Sequence, residues 1–191
     1  MEVVEIDLTK GKKAIIDRAD YPLVSGFRWH ASGSGRRFVA AHSLVLRGGR
    51  KKTILMHRLI LDAQDSRLVV DHINGNALDN RRSNLRLCSS QQNSWNAKGK
   101  GDRKFCGVEP RKGGWAARIN PHGATISLGV WMTQEKAAAA YNEAAQIIFG
   151  EYARLNDVPP LPQAEWQEVI SRKEREAGRV MRELSMLKGE G

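Results

Sequence analysis

Asp71 and His72 stand side by side at the end of a short β-branched run, Val69-Val70, and Asn93 follows within the same stretch, Val69 to Asn96. A carboxylate, an imidazole and an amide oxygen around one centre suit a hard divalent cation with a base beside it. His72 is the candidate base, because an unperturbed imidazole titrates near neutrality and can take a proton from water. Phosphodiester hydrolysis asks for such a base, and for positive charge at the phosphate and the leaving oxygen. Asp71 and Asn93 are then the expected ligands of one octahedral ion, Mg2+ or another divalent cation such as Mn2+. Phosphate and water would fill its remaining positions.

Neighbours on a strand point to opposite faces, so Asp71 and His72 converge only where the strand ends or twists. Asn74-Gly75 supplies that break. An Asn/Gly/Asp-rich loop leads on to a second short apolar strand, Leu85 to Cys88. Ser89 then opens a helix with Gln92 three residues on, the reciprocal capping-box pattern, and Asn93 rides in its first turn. Two paired strands with a helix across them bring the three residues to one point.

His57-Arg58, Asp71-His72-Ile73-Asn74-Gly75-Asn76, Asp79-Asn80, Asn84-Leu85-Arg86 and Asn93 occur in this order. The series resembles the motif of HNH endonucleases, the ββα-metal nucleases, in the variety found in phage and intron homing enzymes. The resemblance implies that the middle asparagine, Asn84, orients the catalytic His72. Arg81, Arg82 and Arg86 are expected at DNA phosphates near the cut, Arg86 alternatively being a plain strand-surface charge. Asn80 reads as a turn residue bonding its own backbone. His57 and Arg58 open a short helix just before the motif and are expected on DNA. His57 would meet a phosphate or the edge of the metal site, or else make a structural bond at the helix end.

The 191 residues give room for one moderate domain or two small ones. With 31 Lys+Arg against 21 Asp+Glu the formal charge is +10, which favours an anionic partner, and nucleic acid is the commonest. The excess lies before and after the motif, while the tail from Asp157 is neutral to slightly acidic. Basic residues are not gathered on an apolar-faced helix, which argues against a membrane surface. Cys88 and Cys106 lie far apart without a CxxC pair, so neither a disulfide framework nor a four-cysteine zinc site is expected. The N-terminal MEVVEIDLTKGKK lacks an apolar core for a signal peptide, and no run reaches transmembrane length. A cytosolic chain is expected.

Residues 1–96 read as the nuclease domain. Its first part consists of strands and tight turns: Val3 to Leu8, Ala14 to Ile16, Phe27 to His30, Phe38 to Leu46 and Ile54 to Met56. Ser32 to Arg37 and Arg47 to Lys52 read as loops whose Arg36, Arg37, Arg47, Arg50, Lys51 and Lys52 could rest on phosphates. His30, His42 and His122 have no acidic partner at ligand spacing and read as core or surface residues. Residues 97–104, AKGKGDRK, form a Gly-rich basic linker.

Residues 105–156 form a second unit of three short strands and a helix. The helix is capped by Thr133, has apolar positions from Ala137 to Phe149 at helical spacing, and is ended by Gly150. A sheet of that width backed on one face can enter the major groove with the other. Gly107-Val108, Trp115-Ala116-Ala117, Leu128-Gly129, Ala137 to Ala145 with Tyr141, Gly150, Ala153 and Asn156 resemble the plant ethylene-response-factor (Apetala-type) DNA-binding domain. The chain departs from that pattern at Phe105-Cys106-Gly107-Val108-Glu109 and at Ala117-Arg118-Ile119-Asn120, where base-reading arginines are missing or moved. Arg111, Lys112, Trp115 and Arg118 are the expected DNA contacts, with core packing as the alternative for Trp115.

Residues 157–191 are a Pro-rich spacer and a mixed-charge helix with Trp166, Ile170, Ala177, Val180, Met181, Leu184 and Leu187 on a loose stripe. Such a stripe packs on the body more often than it dimerises. The expected class is α+β: a β-rich unit with the ββα-metal motif, a three-stranded antiparallel sheet backed by one helix, and a helical tail. The expected activity is metal-dependent cleavage of double-stranded DNA by a monomer or a DNA-templated dimer. A DNA-binding regulator that kept the nuclease fold is the alternative.

Overall fold

The computed structural model describes residues 2–35, 37–97, 103–121 and 123–188, with side chains through Ala177. Arg36, His122, the linker stretch 98–102 and the side chains of Val180, Met181, Leu184 and Leu187 lie outside the described residues. The chain is mixed α/β, with small antiparallel sheets and a few helices, consistent with the expected α+β class. It divides into two compact units, Met1–Ala97 and Lys98–Gly191.

The first unit opens with the hairpin β1 (Val3–Asp7) and β2 (Lys13–Asp17), paired from Val3↔Asp17 to Asp7↔Lys13. A 3-10 turn, Arg18–Asp20, runs into the short helix α1 (Tyr21–Val24), whose Pro22 sits in the first turn where no amide hydrogen is needed. These helical turns were not foreseen in a stretch read as strands and tight turns. The second sheet has the order β3 (His30–Ser34), β4 (Arg37–Val45), β5 (Lys51–Leu55). Two readings change here. Trp29 precedes β3 because its ring enters the core and its Nε1–H donates to the Val24 carbonyl at 2.9 Å. Ser32 to Ser34, read as loop, pair with β4. Gly33 makes this possible at φ +125, since a Cβ there would lie 2.1 Å from the Arg37 carbonyl oxygen.

β5 passes directly into helix α2 (Met56–Ile60), and then β6 (Val69–His72), β7 (Leu85–Cys88) and helix α3 (Ser90–Trp95) follow. One core holds the unit together. Leu8, Ala14 and Ile16 from the first hairpin meet Val24, Trp29, Ala31, Ala40, Met56, Ile60 and Leu85. The first hairpin, the second sheet and the motif strands thus share one apolar centre, which fixes them against each other.

In the second unit β8 (Val108–Arg111), β9 (Gly114–Ile119) and β10 (Ile126–Trp131) form an antiparallel sheet with β9 central. Helix α4 (Gln134–Phe149) packs on it through Ala137, Ala140, Tyr141, Ala144, Ala145 and Phe149. The Thr133 Oγ1 accepts the Lys136 amide hydrogen at 3.2 Å, and Gly150 follows the last turn at φ 54. Small side chains bring the helix so close that a Cβ on Gly107 would lie 2.1 Å from the Tyr141 ring. Asn156 clasps this unit: it bonds the Cys106 backbone, the Ala138 carbonyl and the Asn142 amide. Helix α5 (Gln163–Lys188) packs on the same unit, with Val169 buried, Arg172 donating to the Leu128 carbonyl at 3.2 Å and Lys136 paired to Glu165.

Candidate active site

β6 and β7 pair in the register Val69↔Cys88, Val70↔Leu87, Asp71↔Arg86 and His72↔Leu85, and β6 ends at His72. Cross-strand pairing sets Arg86 beside Asp71, and its Nε and Nη2 donate to the Asp71 Oδ2 at 2.9 and 2.7 Å. The Asn96 Nδ2 donates to both Asp71 oxygens, at 3.0 and 3.1 Å, and to the carbonyls of His72 and Ile73. Asp71 is 5% exposed, and a polar group so buried needs such partners to offset its desolvation. The capping box forms as its spacing predicts: the Ser89 Oγ accepts the Gln92 amide hydrogen, and the Gln92 Oε1 accepts that of Ser89. It fixes the start of α3, which packs on β6 and β7 and carries the half-buried Asn93.

His72 is 8% exposed, and its Nε2 lies 3.3 Å from the Asn80 Oδ1. The Asn80 Nδ2 donates to the Leu78 carbonyl at 3.2 Å, so the amide presents its oxygen to the ring. Nε2 therefore carries the hydrogen and the lone pair is on Nδ1. Burial is the largest influence on the ring and lowers its pKa below the usual 6.5, while the Asn80 bond and the charges of Asp71 and Asp79 act the other way. A neutral imidazole with a fixed tautomer is what a base needs before it takes a proton.

Asn80 is itself held by a residue far away in sequence. Its amide hydrogen goes to the Ile15 carbonyl at 2.7 Å, and the Ile15 amide hydrogen goes to the Leu78 carbonyl at 2.8 Å. β2 thus runs parallel to the loop at Asp79. The Arg82 amide hydrogen is accepted by the Asp17 Oδ2 at 2.8 Å, and its guanidinium pairs with Asp20. Within the loop the Asn74 Nδ2 donates to the Asp79 Oδ2, and Asn76 and Leu78 donate their amide hydrogens to the Asn74 and Asn76 side chains. Arg81 grips Asp79 with two bonds, at 2.7 and 2.6 Å, which hold that carboxyl below its usual range.

The asparagine roles differ from the expectation. The Asn84 Oδ1 accepts the Asn74 amide hydrogen at 2.9 Å, and its Nδ2 donates to the Asp79 carbonyl at 2.7 Å. Asn84 closes the loop, and the amide facing His72 comes from Asn80, which also bonds its own backbone at Leu78 as a turn residue does. Sequence spacing does not separate the two, because the difference comes from β2 docking on the loop.

The arginines near the motif make protein contacts. Arg58 directs its guanidinium to the carbonyls of Leu68, Ala63 and Asp65, joining α2 to the segment that leads into β6. Arg86, with its side chain 12% exposed, is an internal partner of Asp71 rather than a strand-surface charge. Arg81 and Arg82 keep part of their side chains at the surface while paired to Asp79 and Asp20. His57, expected on DNA, is buried at 7% exposed against His72. In the second unit Arg111 and Lys112 are exposed at the β8–β9 turn, Trp115 is half-buried and Arg118 pairs with Glu109 at 3.3 Å. Cys88 is buried, and burial pushes its thiol up, so it is no nucleophile.

A family profile described as HNH endonuclease matches residues 55–95. The chain is also 32% identical over 151 residues to an uncharacterized HNH endonuclease of Acanthamoeba polyphaga mimivirus, covering 78% of this chain and 77% of that protein. The chain belongs to the HNH endonuclease family. Comparison with solved structures gives no match. The HNH profile opens at Leu55 and so takes in α2 with His57 and Arg58, as well as both motif strands and α3. It stops one residue short of Asn96, the clamp on Asp71, which sequence reasoning missed along with Asp17 and Asp20. Asn96 follows the last residue of the helix, three positions beyond Asn93, and that placement was its signal in the sequence.

Proposed function

We propose that the protein is a divalent-metal-dependent DNA endonuclease of the homing type, acting as a monomer or as a DNA-templated dimer. The observation that carries this reading is His72: buried, bonded through Nε2 to Asn80, with its Nδ1 lone pair free of that bond, and next in the chain to a buried carboxylate. In the proposed reaction Nδ1 takes a proton from the attacking water, and Asn80 keeps the ring and its tautomer in place as the charge develops.

Asp71 and Asn93 are the proposed ligands. Among the described residues no three His, Cys, Asp or Glu side chains gather as an all-protein metal site. That donor set fits Mg2+ better than zinc, since Mg2+ is commonly held by one or two protein oxygens together with substrate phosphate and water. When bound, such an ion supplies positive charge to the phosphate and the leaving oxygen. Arg86 and Asn96 set the direction of the Asp71 carboxylate.

Double-stranded DNA is the proposed substrate. The exposed Arg47, Arg50, Lys51 and Lys52 around the β4–β5 turn, and Arg111 and Lys112 in the second unit, are proposed phosphate contacts. Arg81 and Arg82 would add their exposed edges near the cut. The second unit, whose sequence resembles an ethylene-response-factor domain, is proposed to hold the duplex with Trp115 and Arg118 near the surface it offers.

The bonds that Arg86 and Asn96 make to Asp71 favour one rival, a DNA-binding regulator in which that carboxylate is closed to metal. Supercoiled plasmid and phage genomic DNA incubated with Mg2+ or with EDTA decide between them. The nuclease converts plasmid to open-circle or linear form only with metal. Retarded but uncut DNA across sites and metals leaves the regulator.

A further inference from the structure

His57 and His72 come from different elements, α2 and β6, yet their rings meet edge to face, with centroids 5.1 Å apart and planes at 88°. Both are buried. The His72 ring is thus restrained twice, by the Asn80 oxygen at Nε2 and by the His57 ring packed against it. A helix as short as α2 does not hold its own position. Arg58, the next residue, supplies the anchor, with bonds of 2.8, 2.6 and 3.0 Å to the Leu68, Ala63 and Asp65 carbonyls on the segment that enters β6. The pair His57-Arg58 therefore links the ring that packs on His72 to the strand that carries His72.

The His57 Nδ1 is buried without a hydrogen-bond partner, an uncommon arrangement that asks for a reason beyond filling space. His57 also stays neutral: burial, then the neighbouring His72 and Arg58, push its pKa down to about 4. When His72 takes a proton, it does so beside an uncharged ring and not beside a second cation.

We infer that His57 is a positioning residue for His72, acting through its ring to hold the imidazole in one orientation and one tautomer. The inference rests on the reading of His72 as the base. It goes beyond that reading in giving α2 a part in the reaction.

Two measurements on wild type, His57→Ala and His57→Phe test it. Long-range nitrogen–proton spectra of the imidazoles, recorded without DNA or metal, report the His72 tautomer. Steady-state cleavage of plasmid with Mg2+ separates kcat from KM. The expected result is a single Nε2–H tautomer for His72 in wild type and in His57→Phe, and a mixture in His57→Ala. The kcat should fall on the order of 10- to 100-fold in His57→Ala with KM little changed, and recover to within about threefold in His57→Phe. If His57→Ala unfolds, His57→Leu, which fills the space without an aromatic ring, carries the same expectation.

An unchanged tautomer and unchanged kcat in His57→Ala overturn the inference. So does a His57→Phe variant as impaired as His57→Ala, which would mean that a nitrogen of His57 takes part itself. A wild type that cuts no DNA under any metal defeats the nuclease reading instead. The spectra still decide in that case whether His57 holds His72.

Discussion

Asn80 is fully buried with its amide held between the Leu78 carbonyl and the His72 ring, and Asn84 spends both ends of its amide on the loop backbone. These contacts predict different phenotypes. Asn80→Ala removes the acceptor for the His72 Nε2–H, and kcat should fall on the order of 10- to 100-fold with DNA affinity kept. Asn84→Ala leaves the Asn74 amide and the Asp79 carbonyl unpaired, so its first effect should be a loss of about 1–3 kcal/mol in stability. Chemical denaturation and single-turnover cleavage, run on both variants, check the division of labour; a larger kcat loss in Asn84→Ala at wild-type stability would reverse it. The His57 pKa near 4 gives a pH prediction. The unfolded chain binds a proton at position 57 below about pH 6.5. The folded chain does not bind it until about pH 4. This contribution to stability is therefore whole above pH 6.5 and is lost as the pH falls toward 4. The loss amounts to something on the order of 3 kcal/mol. As the pH falls from 6.5 toward 4, wild type should lose stability relative to His57→Phe by that amount, read from denaturation midpoints, and parallel curves would contradict the assignment. The strand end at Asp71-His72 and the Ser89/Gln92 capping box were legible because each is a local pattern. The asparagine roles were not, since Asn74, Asn76, Asn80 and Asn84 are the same residue type in one loop and only a partner from outside distinguishes them.

At the scale of elements, the first hairpin is part of the site's support. β2 exchanges backbone bonds with Leu78 and Asn80, and its last residue, Asp17, accepts the Arg82 amide hydrogen. Asp17→Ala leaves that hydrogen without its charged acceptor, and about 1–3 kcal/mol should be lost. Because the same loop carries Asn80, kcat should fall as well, although position 17 touches no substrate in this account. An Asp17→Ala protein with reduced melting temperature and full kcat would mean that the loop holds its shape without β2. The sequence showed the hairpin as alternating apolar and charged residues, and nothing in that alternation says which edge is used or by what. The turns at Arg18–Asp20 and Tyr21–Val24 escaped for a related reason: they are too short for helical periodicity to register, and only Pro22 marks them. Gly33 reads as flexible loop in isolation, but it is the residue that lets β3 run close against β4.

For the whole molecule, the charge of +10 is spread over two units, and the second carries Arg111 and Lys112 on an exposed turn. If these two residues meet phosphates, the double substitution Arg111→Gln, Lys112→Gln should weaken DNA binding across sequences. It should also lower the slope of log K against log salt by about 2, with the single-turnover rate at saturation unchanged. Fluorescence anisotropy over a salt series measures this, and an unchanged slope would take the β8–β9 turn out of the interface. The helix backing, the cap at Thr133 and the stop at Gly150 were readable in this unit because each depends on neighbours in sequence. The Asn156 clasp joins residues from both ends of the unit and α4, and it became visible only in the folded chain.

The most direct test of the account is His72→Ala on supercoiled plasmid with Mg2+, with DNA affinity measured alongside in EDTA. The account predicts that cleavage is abolished while affinity stays within about twofold of wild type, since His72 is buried and is assigned to proton transfer rather than binding. Cleavage at the wild-type rate, or loss of cleavage and affinity together, would contradict it.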